Sequence, residues 1–165
     1  MKTYLRPWNL DDVPALVRYA NNLKISARLT DAFPSPYTEE DAVRFITMAQ
    51  SADPIRLFAI CNDQEAIGGI GLHPQEDIYR NNAELGYWLG EPFWGKGIMT
   101  SCVREIVAYG FEKLPITRIF ARPFGSNKGS QQVLIKAGFH LEAHIPQILI
   151  KNGQLEDEMI FAVRR

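Results

Sequence analysis

Only two cysteines occur in 165 residues, Cys61 and Cys102, each inside an apolar stretch. Two are too few for a disulfide framework and fit buried thiols in a reducing cytoplasm. Histidine is nearly as scarce. His73, His140 and His144 are the only three. His140 and His144 stand two strand pitches apart with no cysteine or third ligand nearby, so no metal site is expected. No apolar run reaches the roughly 20 residues of a membrane-spanning helix. The opening MKTYLRPWNLDD carries no apolar signal region. These absences predict a cytoplasmic protein with no membrane partner. No segment repeats and none is of low complexity. Neither sign of charge is much in excess: the formal net charge is −1. That excludes nucleic-acid binding through bulk positive charge, and no nucleic-acid partner is expected.

What is present is ordinary in amount and uneven in distribution. Apolar residues make up 46% and charged residues 22%, as in globular proteins generally. The length suits a single domain over residues 1–165 with a sizeable core. Between Lys96 and Lys136 stand seven cations (Lys96, Arg104, Lys113, Arg118, Arg122, Lys128, Lys136) against two anions, Glu105 and Glu112. The rest of the chain carries 11 cations and 17 anions. A local basic excess invites a polyanionic ligand; a solvated basic face reads equally well from charge alone.

The elements alternate. KTYLRPW reads as a strand ended by Pro7. NLDDVPALVRYANN reads as a helix, capped at Asn9 or Asp11, with the stripe Val13, Leu16, Val17, Ala20. After the loop FPSP, Thr38 caps a second helix with Asp41 three residues on. IRLFAICN, EAIGGIGLHP and NAELGYWLG are short apolar runs of strand character. Met99, Val103, Ile106, Val107 and Gly110 recur at helical spacing from near Ile98 to about Lys113. ITRIFARP is a strand between prolines, GSQQVLIKAGF a short helix stopped by Gly138. FHLEAHI and EDEMIFAV close the chain as strands. This mixed order predicts an α/β (α+β) sheet covered on both faces.

Gly90 to Met99, GEPFWGKGIM, almost spells a nucleotide-binding loop. Gly90, Gly95 and Lys96 fit G-x-x-x-x-G-K, but the hydroxyl residue due next, a magnesium ligand, is Gly97. The downstream strand ends in Arg-Pro rather than an aspartate, and Pro92, Phe93 and Trp94 are bulky. A triphosphate loop with magnesium is therefore not expected. Phosphate binding of another kind is physically sound. N–H groups at a helix start carry partial positive charge, and glycines allow close approach. A side chain at Gly97 is expected to crowd the phosphates.

WGKGIMTSCVREIVAYGF after AELGYWLG, followed by SNKGSQQVLIKAGF, resembles the GNAT superfamily of N-acetyltransferases. Within it the chain is similar to the bacterial ribosomal-protein N-terminal acetyltransferase branch, which LRPW with its acidic turn also resembles. The family loop Q/R-x-x-G-x-G/A maps to Trp94-Gly95-Lys96-Gly97-Ile98-Met99. Gly97 is kept, while Trp94 and Met99 depart. The resemblance implies a GNAT-like, mostly antiparallel mixed sheet with a splayed strand pair, and acetyl-CoA as cosubstrate with no metal. It implies pyrophosphate on the N–H groups of Gly95, Lys96, Gly97, Ile98, Met99 and Thr100. The pantetheine arm would pair with the strand end at Trp88 and Leu89, and Asn127 would contact it. Asn127 also reads as a helix N-cap. By the same analogy Tyr37 and the segment from Ser26 to Asp31 would flank the acceptor.

Acetyl transfer to an amine needs a proton acceptor, because an amine with a pKa of about 8–10 is protonated at neutral pH. Glu84 is the candidate, on the Glu84-Gly86-Trp88-Gly90 face of its strand. The other reading of Glu84 is a salt bridge to an arginine. A backbone N–H near Leu89 would meet the oxyanion. The tyrosine that many family members place seven residues after the asparagine is Leu134 here, and Ser130 is the substitute that the ribosomal branch suggests. Its other reading is a polar residue in a first helical turn. The expected function is acetyl-CoA-dependent N-acetylation of a primary amine: a protein N-terminus, a polyamine or an amine-bearing drug. The alternative is a module that binds acetyl-CoA without turnover. No residue specifies an oligomeric state.

Overall fold

The computed structural model describes all of residues 1–165. Seven strands, β1 (Tyr4–Pro7), β2 (Leu57–Cys61), β3 (Ala66–Pro74), β4 (Asn82–Leu89), β5 (Arg118–Ala121), β6 (His140–Lys151) and β7 (Gln154–Arg164), form one sheet in the order β1-β2-β3-β4-β5-β7-β6. The pairs β1–β2, β2–β3, β5–β7 and β6–β7 are antiparallel, and β4–β5 is parallel. Five helices complete the chain: α1 (Val13–Ala20), α2 (Leu23–Ser26), α3 (Glu39–Gln50), α4 (Ile98–Lys113) and α5 (Lys128–Lys136). The mixed, mostly antiparallel sheet is the one expected.

The parallel pair is short. β4 is in register with β5 only at Asn82, Ala83 and Glu84, opposite Arg118, Ile119 and Phe120, yet β4 runs on to Leu89. β5 itself ends at Ala121, so β4 beyond Glu84 has no register partner there.

The chain comprises two compact units. One comprises Met1–Gly71 with Tyr87–Ile98, the other Leu72–Gly86 with Met99–Arg165. In the first unit Trp8, Leu16 and Ile46 are buried together with Ala59 and Cys61 of β2. In the second, Val103 and Ile106 of α4, Ile119 of β5, Leu134 of α5 and Phe161 of β7 are buried. Both thiols are free and buried, and desolvation pushes Cys61 up to about 11 and Cys102 to about 12. They are inert core groups rather than nucleophiles.

Local chemistry sets the helix ends. Thr38 and Asp41 form the reciprocal cap of α3. α5 ends at Gly138, whose φ is +96°, and the Phe139 N–H closes on the Leu134 carbonyl at 3.0 Å. The first expected helix divides into a 3-10 turn, Leu10–Asp12, and α1. The division follows from Asn9 and Asp12 capping each other, which starts a turn before the helix proper. α2 is one turn long and was not expected from the sequence; the Asn22 side chain caps it. β6 and β7 are longer than their alternating segments, because Asn152 and Gly153, with φ of +51° and +74°, make a tight turn between Lys151 and Gln154.

Asp12 is the best-determined charge in the first unit. Arg6 donates to both of its oxygens at 2.7 Å, and the Asn9 N–H donates at 3.0 Å. Burial works against the carboxylate, but the Arg6 and Asn9 hydrogen bonds outweigh it and hold the carboxyl below its ordinary 3.8. A depressed carboxyl contributes stability that is complete above its unfolded value and lost as pH falls through its folded one. Asp12→Asn is expected to cost about 2–3 kcal/mol at pH 7, less than a fully buried pair because Arg6 is part-exposed. In urea unfolding the deficit relative to wild type should narrow as pH drops below 3.8.

Candidate active site

The expected site residues divide between the two units, and each set is built on its own scaffold. In the first unit β4 ends at Leu89, and the Gly90 N–H donates to the Ile67 carbonyl at 2.8 Å. A 3-10 turn, Glu91–Phe93, follows. Its three residues are each anchored or stiff. Asn22 donates to Glu91 at 2.8 Å, and Lys24 donates to its other oxygen. Pro92 lacks an N–H. Phe93 packs edge-on against Tyr19, with ring centres 5.4 Å apart. Trp94 then turns back, and its indole N–H donates to the Leu89 carbonyl at 2.7 Å.

Gly95 and Gly97 come next, with φ of +73° and +75°, while Lys96 between them is not left-handed. Backbone that alternates in this way turns successive N–H groups toward a common concavity suited to an anion. A Cβ built on either glycine meets nothing within 4 Å. The chain itself thus leaves that space open, and the requirement for glycine comes from the dihedral angle. Trp94 through Gly97 are exposed, and α4, a 16-residue helix, starts at Ile98. Its first N–H groups add the partial positive charge of a helix start. The side chains of Leu89, Ile98 and Met99 are buried and that of Thr100 is half-buried. Trp88 lies beside Gly69 and edge-on to Phe33, with ring centres 6.1 Å apart. The Lys96 ammonium sits 5.7 Å from the centre of the Phe93 ring.

In the second unit Glu84 has the arginine partner that its alternative reading anticipated. Arg122 Nε donates to Glu84 Oε1 at 2.9 Å and Nη2 to Oε2 at 3.0 Å. Glu158 lies 3.8 Å from Arg122 Nη1. The two-pronged bond to Glu84 raises the Arg122 guanidinium, so its charge is permanent. Asn127 is the N-cap of α5, its Oδ1 accepting the Ser130 N–H at 3.2 Å. Asn127 and Ser130 are therefore brought together. The Gln131 side chain fastens the approach to this turn, donating to the Phe124 and Gly125 carbonyls at 3.1 and 3.0 Å. Leu134, where the family tyrosine would stand, is fully buried.

The basic excess needs correcting. Arg118 is spent on Glu142 and Asn82, and Arg122 on Glu84. Arg104 donates to the Lys136 carbonyl. Seven cations in sequence are thus not one cradle for a polyanion, because strand pairing delivers carboxylates from β4 and β6 that composition cannot show. Sequence reasoning also missed Trp94 and Arg122. The signal for Arg122 was its place just past the β5 apolar run, in a sheet whose neighbouring strand carries Glu84. No group of three His, Cys, Asp or Glu side chains is placed to hold a metal, and no helix is long and apolar enough to cross a membrane.

The mixed seven-stranded sheet and the glycine turn ahead of a long helix define a class, and the family model for the acetyltransferase (GNAT) domain matches residues 2–140. The chain belongs to the GNAT acetyltransferase family. Over 100 residues it is 33% identical to an uncharacterized N-acetyltransferase of Bacillus subtilis, YoaA, covering 61% of this chain and 56% of that one. Over 128 residues it is 27% identical to the ribosomal-protein-serine acetyltransferase of Escherichia coli, covering 76% and 71%. The chain spans little more than half the length of several curated relatives it matches. The solved structure of RimL, a ribosomal L7/L12 alpha-N-protein acetyltransferase in complex with coenzyme A, shares the fold. The TM-score is 0.86 at 23% identity, covering 99% of this chain and 94% of that one.

A non-glycine residue at φ near +75° costs roughly 1–2 kcal/mol. Gly95→Ala and Gly97→Ala are each expected to lose about that much stability or to shift the loop, with no steric clash. The double variant should lose about twice as much if the fold is kept. Urea midpoints check this, and an unchanged midpoint in both single variants would show that the turn is not left-handed.

Proposed function

We propose that the protein is an acetyl-CoA-dependent N-acetyltransferase acting on a primary amine. The observation that carries this reading is the exposed turn with two left-handed glycines heading α4. Its N–H groups from Gly95 to Thr100 suit a pyrophosphate, and the absence of a hydroxyl after Lys96 argues against a magnesium nucleotide. Trp88 and Leu89 at the end of β4 would take the pantetheine arm. Related chains that bind coenzyme A support the same ligand. A protein N-terminus is the first acceptor to test, because a relative is a ribosomal-protein-serine acetyltransferase. Cytoplasmic placement belongs to the same reading.

In the reaction the amine nitrogen bonds to the acetyl carbonyl carbon, the carbon–sulfur bond breaks, and the amine proton leaves. Glu84, held by Arg122, keeps its orientation without rotamer search. Each of its oxygens retains a lone pair after the guanidinium bonds, so it can draw the amine proton directly or through water. Ser130, fixed at the start of α5, can relay a proton to the departing sulfur. A domain that binds without turnover gives the same titration and no thiol release.

Calorimetry should give acetyl-CoA binding without Mg²⁺, and a thiol-release assay should give turnover with one class of amine. Magnesium-dependent ATP binding with no response to CoA overturns the reading. Glu84→Gln is expected to lower kcat about 10²-fold near pH 7, the lower end of general-base assistance. The deficit should shrink as pH rises toward the amine pKa, and acetyl-CoA affinity should hold. Turnover near wild type at pH 7 would assign the proton to water or to another residue.

A further inference from the structure

Trp94 departs from the family signature, which has glutamine or arginine at that place, and the structure gives the departure a use. The Trp94 indole N–H donates to the carbonyl of Leu89 at 2.7 Å, closing a five-residue return from the end of β4. Inside that return the Phe93 N–H donates to Gly90 and the Trp94 N–H to Glu91. The residues after it are Gly95, Lys96 and Gly97, the left-handed turn. Nothing in the glycines themselves fixes that turn, since each leaves its surroundings open within 4 Å.

We propose that Trp94 is a positioning residue for the phosphate-binding turn and for the end of β4 together, acting on acetyl-CoA rather than on the acceptor. This rests on the function proposed above. Two consequences follow from the one hydrogen bond. The indole holds the start of the Gly95–Gly97 turn at a fixed distance from the strand end, so its N–H groups are arranged before a ligand arrives. It also occupies the Leu89 carbonyl in the free protein. The glutamine of the family signature also carries an N–H donor with comparable reach. The donor, and not the ring, is thus the property that this position uses.

The test compares wild type, Trp94→Phe and Trp94→Gln. Phenylalanine keeps a ring and loses the donor; glutamine loses the ring and keeps a donor. Calorimetric titration with acetyl-CoA should show Trp94→Phe weakened about three- to tenfold, the usual worth of one hydrogen bond. Trp94→Gln should recover to within about twofold of wild type. In steady state the KM for acetyl-CoA should follow the Phe variant's binding loss, with kcat and the acceptor KM unmoved. A merely structural role would lower the melting temperature and kcat of both variants alike, and that pattern overturns the inference. So does a Phe variant that binds as wild type does. If Trp94→Phe does not fold, Trp94→Met against Trp94→Gln makes the same donor comparison. Failure of wild type to bind acetyl-CoA overturns the proposed function and this inference with it. Normal wild-type binding with an unaffected Phe variant overturns this inference alone.

Discussion

β4 hydrogen-bonds to β5 in register through Glu84 and then continues to Leu89 without it. A strand end that leaves its neighbour exposes backbone groups that must be satisfied in some other way. Here the satisfaction is local and specific. The Gly90 N–H goes to Ile67 and the Leu89 carbonyl goes to the Trp94 indole. Only after those bonds are made does the chain reach the two left-handed glycines and start α4. The same parting gives Glu84 its setting as the last residue of β4 in register with β5, where Arg122 just past the end of β5 reaches it.

Local rules were legible in the sequence because their causes lie within a few residues. α4 runs from Ile98 to Lys113, as its apolar period required, and Thr38, Asn127 and Gly138 cap the helices they were expected to cap. The tight turn at Asn152-Gly153 was equally local and went unread, because the alternation of β6 is interrupted by register shifts at Leu141/Ala143 and Ile145/Leu149. A period-2 pattern that slips twice does not look like a strand of this length. α2 is shorter than any helical period can reveal. The ion pairs were the least legible. Arg118 finds Glu142 and Arg122 finds Glu84 across 24 and 38 residues of sequence. Only strand order brings those partners together. The basic segment looked like a ligand cradle for that reason.

The glycine loop carries a conformational requirement that its sequence motif does not state. Gly97 was expected to be glycine to spare a phosphate from a side chain. The chain leaves space at both glycines, and what forbids a side chain is φ near +75° at each. The two accounts differ in what they protect. Steric room alone would be met by any loop that bends away. A left-handed turn aims the N–H groups, and that aim survives only if the turn is fixed at its start by something other than the glycines.

The Trp94 indole bond offers such a start, and the place of Trp94 in the chain explains how a bulky aromatic fits ahead of a glycine turn. Its ring does not enter the turn. It folds back over the 3-10 segment to the strand that precedes it, while Glu91 and Phe93 are held by Asn22, Lys24 and Tyr19. Bulk before the first left-handed glycine stiffens the approach and leaves the concavity itself to Gly95, Lys96 and Gly97. In a magnesium-nucleotide loop the lysine is followed by a hydroxyl that needs a metal to bind. Here the lysine is followed by another left-handed glycine, so the position that would hold a metal ligand instead continues the alternation of backbone N–H groups. The near-match to the nucleotide loop and the departure from the family signature thus meet in one geometry: two left-handed glycines that follow an indole bonded back to the Leu89 carbonyl.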